Sequence, residues 1–328
     1  MADRLLRKVV CSSFGPLDGL GIEDVDALVP APGRVVVDVR AAGVNFVDAL
    51  FVQGKYQIKP PVPFTPGSEI AGEVSAVGEG VEGWAVGDRV LASCGLGGFA
   101  SQVHLSPRSL QRLPASLSFG QAAALLQSYG TALFSLTRRT TVREGEWVLV
   151  LGAGGGVGLA MIDVARSLGA HVIAAASSEE KLAAAQAAGA EAVIAYETED
   201  LKTRARELSG GGVDVVVDPV GGAHAEPALR ALRFFGRYLV IGFAAGDIPR
   251  LPINQVLLNN RTIVGVDWGA WTMQRPDENQ ALLAELLASA GDGRLSPTEP
   301  DARPLDEVRE VLAALEGRRI AGKVVLVP

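Results

Sequence analysis

The chain has 328 residues, of which 48% are hydrophobic and 20% charged, and its net charge is −7. That length exceeds what one hydrophobic core usually organises, so two domains are expected. An acidic balance without a Lys/Arg tract argues against a nucleic-acid surface, and no run approaches the ~20 apolar residues of a membrane span.

The N-terminal stretch MADRLLRKVVCSSFGPLDG is charged early and lacks a long apolar core. It carries no targeting signal, and a cytoplasmic location is the default expectation. Cys11 and Cys94 are too few for a disulfide framework and read as free thiols, while His104, His171 and His224 offer little for a metal. The first third then shows short β-branched runs at 34–44, 69–81 and 87–93, separated by Gly/Pro turns. This pattern predicts a compact β-rich barrel or sandwich.

From Phe119 the texture changes to a helix pair and then to β/α alternation. Strands are expected at 147–151, 171–176, 191–195, 213–217, 236–241 and 262–266, with helices at 158–168, 179–188, 199–208 and 224–233 between them. Such alternation predicts a doubly wound parallel sheet with right-handed crossovers. Two further amphipathic helices, ENQALLAELLASAGDG and PLDEVREVLAALEG, flank a Pro-rich connector, and KVVLVP reads as a closing strand. That strand is a candidate to return to the first domain and make it discontinuous.

The most specific local feature is WVLVLGAGGGVG, 147–158, where a continuous apolar strand empties into glycines and then into a helix. Aligned as G-x-G-x-x-G, the turn uses Ala153, Gly155 and Gly158, with spare glycines at 152, 154 and 156. Gly155 lets a pyrophosphate approach the backbone, Gly158 lets helix pack on strand, and the helix N-terminus at Gly156 and Val157 offers free N–H donors. The bland alternative is a glycine-rich connector. At the end of the next strand an NAD site carries Asp or Glu, whereas this chain has Ser177 and Ser178, followed by Lys181 one helical turn on. The missing acid favours NADPH, although Lys181 is also readable as an ordinary exposed lysine.

Several segments in order resemble the medium-chain dehydrogenase/reductase superfamily, in particular its zinc-free NADPH:quinone oxidoreductase branch, which includes the zeta-crystallins. They are AAGVNFVDALFVQGKY (41–56), PFTPGSEIAGEVSAVGEGVEGWAVGDRV (63–90), SYGTALFSL (128–136), LGAGGGVGLAMIDVARSLGAHVIAAASSEEK (151–181), DVVVDPVGG (214–222) and GKVVLVP (322–328). The resemblance implies an α/β protein: a GroES-like β-rich catalytic domain over 1–124 completed by 267–328, a doubly wound parallel-sheet Rossmann domain over 125–266, a cleft between them, and a homodimer. Where zinc-dependent relatives carry a cysteine and the histidine of a GHE motif, this chain has Val44/Asn45 and Ser68, so no metal is expected.

The resemblance further implies that Asn45, Asp48 and Tyr56 line a substrate pocket, and that Lys181 and Tyr196 meet the cofactor 2′-phosphate. Ser177 adds a hydroxyl there and Arg319 (or its neighbour Arg318) a guanidinium. Thr131 is expected near the pyrophosphate or the nicotinamide ribose, with Gly242 and Phe243 at the carboxyl edge of the sheet. Trp268 and Trp271 are candidates for shaping the cleft or a dimer contact. Each catalytic candidate has a structural alternative: Asn45 as a helix cap, Asp48 as a backbone acceptor, Tyr56 as packing. The expected activity is metal-free hydride transfer from NADPH to a quinone or enone. The alternatives are an acryloyl- or enoyl-CoA reductase and an NADPH-binding structural protein.

Overall fold

The computed structural model describes residues 5–328. Residues 1–4, the start of the N-terminal stretch on which the expectation about targeting rests, lie outside the described residues. Two compact units form, one of residues 5–127 with Glu299–Pro328 and one of Ser128–Thr298.

The first unit opens with an antiparallel pair, β1 (Leu6–Cys11) and β2 (Leu20–Val25). It continues through β3 (Val35–Gly43), the short helix α1 (Phe46–Val52), β4 (Glu69–Val77), β5 (Arg89–Ser93), β6 (Gln102–Leu105) and β7 (Leu110–Arg112). Alternation explains β3: Val35, Val37 and Val39 point into one core with Ile70, Val74 and Val90. Helix α2 (Phe119–Ala123) begins at Ser118, whose hydroxyl accepts the Gln121 N–H while the Gln121 side chain accepts the Ser118 N–H.

Helix α3 (Leu126–Phe134) runs into a π-helical turn, Ser135–Arg139, where the hydroxyls of Ser135 and Thr137 donate back to the carbonyls of Thr131 and Leu133. The second unit then alternates: β8 (Trp147–Leu151), α4 (Gly156–Ser167), β9 (His171–Ala176), α5 (Glu179–Ala187), β10 (Ala192–Ala195), α6 (Leu201–Leu208), β11 (Val213–Asp218), α7 (Ala225–Ala231), β12 (Leu232–Val240), α8 (Asn254–Leu257) and β13 (Thr262–Gly265). The strands lie in the order β10-β9-β8-β11-β12-β13, paired in parallel throughout. Strand order reverses between β8 and β11, the place where open α/β sheets bind ligands outside the carboxyl ends.

The predicted helix 224–233 stops at Ala231 instead, and β12 starts at Leu232, earlier than 236. Leu232 already pairs with Val213, and the Arg261 guanidinium covers the Leu232 and Arg233 carbonyls.

Helices α9 (Trp268–Gln274) and α10 (Pro276–Gly291) close the second unit. This corrects the assignment of 267–328 as a whole to the first domain, because 267–298 packs with the second unit. Trp268 lies against Gly130, where an added Cβ would meet the indole at 2.7 Å, Trp271 packs tilted against Phe134 with ring centroids 4.7 Å apart, and Arg138 pairs with Glu285 at 2.6 Å. The Asp163 carboxylate on α4 accepts the Ser296 N–H at 2.7 Å and the Tyr129 hydroxyl at 3.0 Å. From Glu299 onward the chain belongs to the first unit: β14 (Asp301–Pro304), α11 (Val308–Glu316) and β15 (Val324–Val327) complete a sheet ordered β14-β15-β3-β4-β5-β7, with β6 also paired to β3. Leu305, Val308, Leu312 and Leu326 seal its core.

Candidate functional site

In the first unit the residues of GVNFVD and GSE gather into one buried polar cluster. Asn45 ends the run after β3 and sits at the N-cap of α1 in an extended conformation. The Asp48 carboxylate returns to accept the Asn45 backbone N–H at 2.8 Å. The Asn45 amide donates to the Ser68 hydroxyl at 3.2 Å and to Glu69 Oε1 at 2.9 Å, and its oxygen accepts from the Lys323 ammonium. Lys323, at the entry to β15, also donates to the Val44 carbonyl and to Glu69 Oε1, each at 3.0 Å. Glu69 Oε2 accepts the Gln127 N–H at 2.9 Å. Gly43 makes room for this arrangement, since a Cβ there would stand 2.7 Å from Glu69 Oε1.

The Lys323–Glu69 ion pair is therefore enclosed, with side-chain exposures of 9% and 2%, and its charges cancel. Asp48 beside it is fully buried, and its Oδ1 has no hydrogen-bond partner among the described residues. Burial pushes the Asp48 carboxyl up to about 7, with the Glu69 charge adding to the rise, against the opposing pull of the Asn45 N–H, Lys323 and Ser68. The cluster thus holds a carboxylic acid that keeps its proton into the neutral range. Asn45 has both ends of its amide engaged inside it, which makes Asn45 its hub. Tyr56 lies four residues beyond the end of α1, half-buried, with its ring 4.7 Å from that of Phe51.

Glu69 and Lys323 are the members that motif reading missed. The first stands inside the quoted GSEIAG and the second in GKVVLVP, but nothing in the spacing of two segments 254 residues apart announces an ion pair. The signal was chemical: a glutamate leading into the apolar run of one strand and a lysine just ahead of another both require a partner where they are buried.

The second unit carries the cradle at the carboxyl end of β8. Gly155 is the N-cap of α4, and Gly156, Val157 and Gly158 form its first turn. A Cβ on Gly158 would come within 2.7 Å of Ala153 Cα, so glycine sets how closely the helix packs on the strand end. Gly155 is different: within 4 Å its Cβ would meet Gly152 O alone, at 3.5 Å, which leaves its outer face open to a ligand. Gly154 is taken up from within, because a Cβ there would strike the Lys181 stem, 2.6 Å from its Cγ. The glycine that looked spare in the sequence seats Lys181 over the turn.

Ser177 is exposed one residue beyond β9, and Ser178 caps α5 by accepting the Lys181 N–H at 3.4 Å. Tyr196 stands one residue beyond β10. Because Ala195 pairs with Ala176, Ser177 and Tyr196 leave neighbouring strand ends side by side. The next carboxyl end belongs to β11, where buried Asp218 accepts the Val220 and Gly221 N–H groups at 2.8 Å each and the Tyr238 hydroxyl. Gly242 and half-exposed Phe243 follow β12, with the Gly242 N–H on the Asp218 carbonyl at 3.3 Å. Thr131 is buried inside α3. Arg319 is exposed beyond α11 in the first unit, next to Arg318 with φ 54°. The structure thus brings together Asn45 and Asp48 in one unit, and the glycines, Ser177, Lys181 and Tyr196 in the other. Among the described residues no group of three or more His, Cys, Asp or Glu side chains is placed to hold a metal ion, and no helix is long and apolar enough to cross a membrane.

Two family models match the chain, "Alcohol dehydrogenase GroES-like domain" over residues 31–115 and "Zinc-binding dehydrogenase" over residues 156–288. "Quinone oxidoreductase-like protein 2" of Bos taurus is 40% identical over 94% of this chain and 88% of its own length. The chain belongs to the medium-chain dehydrogenase/reductase superfamily. Its first unit is the GroES-like sheet domain of that superfamily and its second the Rossmann-type domain. Another superfamily member, the quinone oxidoreductase of Homo sapiens, is 32% identical over 98% of both chains. The crystal structure of Escherichia coli quinone oxidoreductase complexed with NADPH matches with a TM-score of 0.88 at 29% identity, covering 98% of this chain and 100% of that one.

Proposed function

We propose that this protein binds NADPH and transfers its hydride to a quinone or another conjugated carbonyl without a metal. The observation that carries the cofactor half is at the end of β9: Ser177 stands where an NAD site needs a carboxylate, and the Lys181 stem lies over Gly154 of the glycine turn. A 2′-phosphate there meets a hydroxyl and an ammonium in place of the strand-end carboxylate of an NAD site. Gly156 and Val157 offer the pyrophosphate their backbone N–H groups at the start of α4, Gly155, its own N–H held on the Gly152 carbonyl at 3.0 Å, leaves room for it to approach, and Gly158 lets that helix end come close. Thr131, Gly242 and Phe243 complete the proposed contacts of the second unit.

NADPH, when bound, supplies the hydride. The chain's own contribution is to balance it, because reduction of a conjugated carbonyl places negative charge on oxygen and needs a proton. Asp48 holds such a proton up to a pH of about 7 in a buried setting. The hydroxyl of Tyr56 is the proposed neutral donor to the carbonyl oxygen. Asn45 is proposed as a positioning residue that ties Ser68, Glu69 and Lys323 to the Asp48 turn. The metal positions of zinc-dependent relatives are held here by an amide engaged at both ends and by a serine hydroxyl, a donor set suited to hydrogen bonding.

The direct test mixes purified protein with NADPH and a panel of ortho- and para-quinones and enones. Loss of cofactor absorbance is expected with members of the panel, and no turnover across it overturns the reading. Activity on CoA thioesters far above that on free quinones would replace the acceptor and keep the hydride chemistry. Lys181→Ala is expected to weaken NADPH about 10- to 100-fold, the size of a lost charged hydrogen bond, with a much smaller effect on NADH. Titrating both cofactors checks this, and equal losses for the two remove Lys181 from the 2′-phosphate.

A second copy of the chain is the proposed partner. Strand β13 is an edge, with β12 on one side, and Ile263 on it is 40% exposed. Nearby in sequence Ile253, Leu257 and Leu258 also expose their apolar side chains. Light scattering is expected to return the mass of two chains, and Ile263→Glu to return one. A monomeric wild type removes the dimer.

A further inference from the structure

The loop after β11 ends in a side chain that the cofactor reading does not use. Asp218 closes β11 with its carboxylate buried under two backbone N–H groups and the Tyr238 hydroxyl. The chain then turns through Gly221 and Gly222, at φ 68° and 59°, both in the left-handed region that glycine adopts without strain. The Gly222 N–H is held on the Asp247 carbonyl at 3.2 Å, and a single 3-10 turn, Gly222–His224, leads into α7. His224 is thereby fixed at the head of α7, where its imidazole packs against the Tyr196 ring with centroids 4.1 Å apart and planes 36° apart.

A tyrosine at a strand end has two free torsions, and a phenol donor pays for ordering them each time it grips a ligand. A ring partner already in contact removes that freedom beforehand. We infer that His224 is a further positioning residue of the cofactor site: by packing against Tyr196 it holds the phenol beside Ser177 for the 2′-phosphate, and so helps set the preference for NADPH over NADH. The inference rests on the reading of Ser177, Lys181 and Tyr196 given above. It assigns the imidazole a ring's role, with no charge or proton required of it. A buried aspartate at the end of β11 shapes a two-glycine turn, the turn delivers a histidine, and the histidine orders a tyrosine just past β10, a strand that β9 and β8 separate from β11 in the sheet.

The test measures the dissociation constants of NADPH and NADH directly, by calorimetry or nicotinamide fluorescence, for the wild type, His224→Ala and His224→Phe. The alanine variant is expected to lower the NADPH-to-NADH preference about fivefold, equal to about 1 kcal/mol. The phenylalanine variant, which keeps a ring against Tyr196, is expected to retain most of it. An unchanged preference in His224→Ala, or a His224→Phe variant as impaired as the alanine one, overturns the inference. Should the alanine variant fail to fold, His224→Gln carries the same expectation, because it keeps a polar side chain and loses the ring. A wild type without any preference for NADPH overturns the reading of the site itself, whereas a wild-type preference that survives in His224→Ala overturns the role of His224 alone.

Discussion

Replacing Lys323 by methionine is expected to destabilise the protein by about 3–5 kcal/mol, the cost of removing one partner from a buried ion pair. The ammonium donates to the Val44 carbonyl, the Asn45 amide oxygen and Glu69 Oε1, so one substitution leaves three acceptors short of a donor. The larger part of the loss comes from Glu69, 2% exposed, whose charge then faces only the Asn45 amide and the Gln127 N–H. Adding Glu69→Gln to the methionine variant removes that charge and should recover a substantial part of the loss. Urea unfolding of the two single variants and the double variant checks this through the coupling between the sites. A loss below about 1 kcal/mol for Lys323→Met would mean that solvent screens the pair as it screens an exposed one.

Asp48→Asn should change how stability depends on pH. In the folded chain the Asp48 carboxyl titrates near 7, against 3.8 as its ordinary value. A folded-state value raised above the unfolded one means that the folded chain retains a proton which the unfolded chain releases. The stabilisation from Asp48 is therefore complete below pH about 4, falls as pH rises, and is gone above about 7. Asparagine keeps an oxygen to accept the Asn45 N–H and cannot ionise. Relative to wild type, the variant is expected to gain about 4 kcal/mol between pH about 4 and about 8, whatever constant offset the amide introduces. Urea midpoints across that range supply the comparison. Parallel curves for the two proteins would show that Asp48 is already ionised in the fold.

Much of the architecture was legible because its signals are local. The strands at 147–151 and 171–176 fall where the apolar runs put them, and α4 begins at Gly156, two residues before the predicted 158, with Gly155 as its N-cap. The end of α7 was less legible. Its helical periodicity runs on to 233, but pairing of Leu232 with Val213 and the covering of two carbonyls by Arg261 stop it at Ala231. The segment 267–298 was read with the wrong unit for a similar reason: its helical pattern says that it buries one face and not against what, and the answer is Gly130, Phe134 and Arg138.

The candidate site divides in the same way. The glycine turn, the missing acid at Ser177 and the one-turn spacing to Lys181 are properties of contiguous sequence, as is the Asn45–Asp48 turn. By itself, then, the sequence determined the alternation of elements, the parallel sheet, the nucleotide cradle and the residue types at its rim, because periods of two and 3.6, helix starts and glycine turns act over a few residues. Only the tertiary structure decided that Gly154 accommodates the Lys181 stem, that Glu69 meets Lys323, that Asp48 keeps its proton to about 7, and that His224 lies on Tyr196. Each of those depends on burial and on residues brought together from distant segments, and both arise when the chain closes on itself.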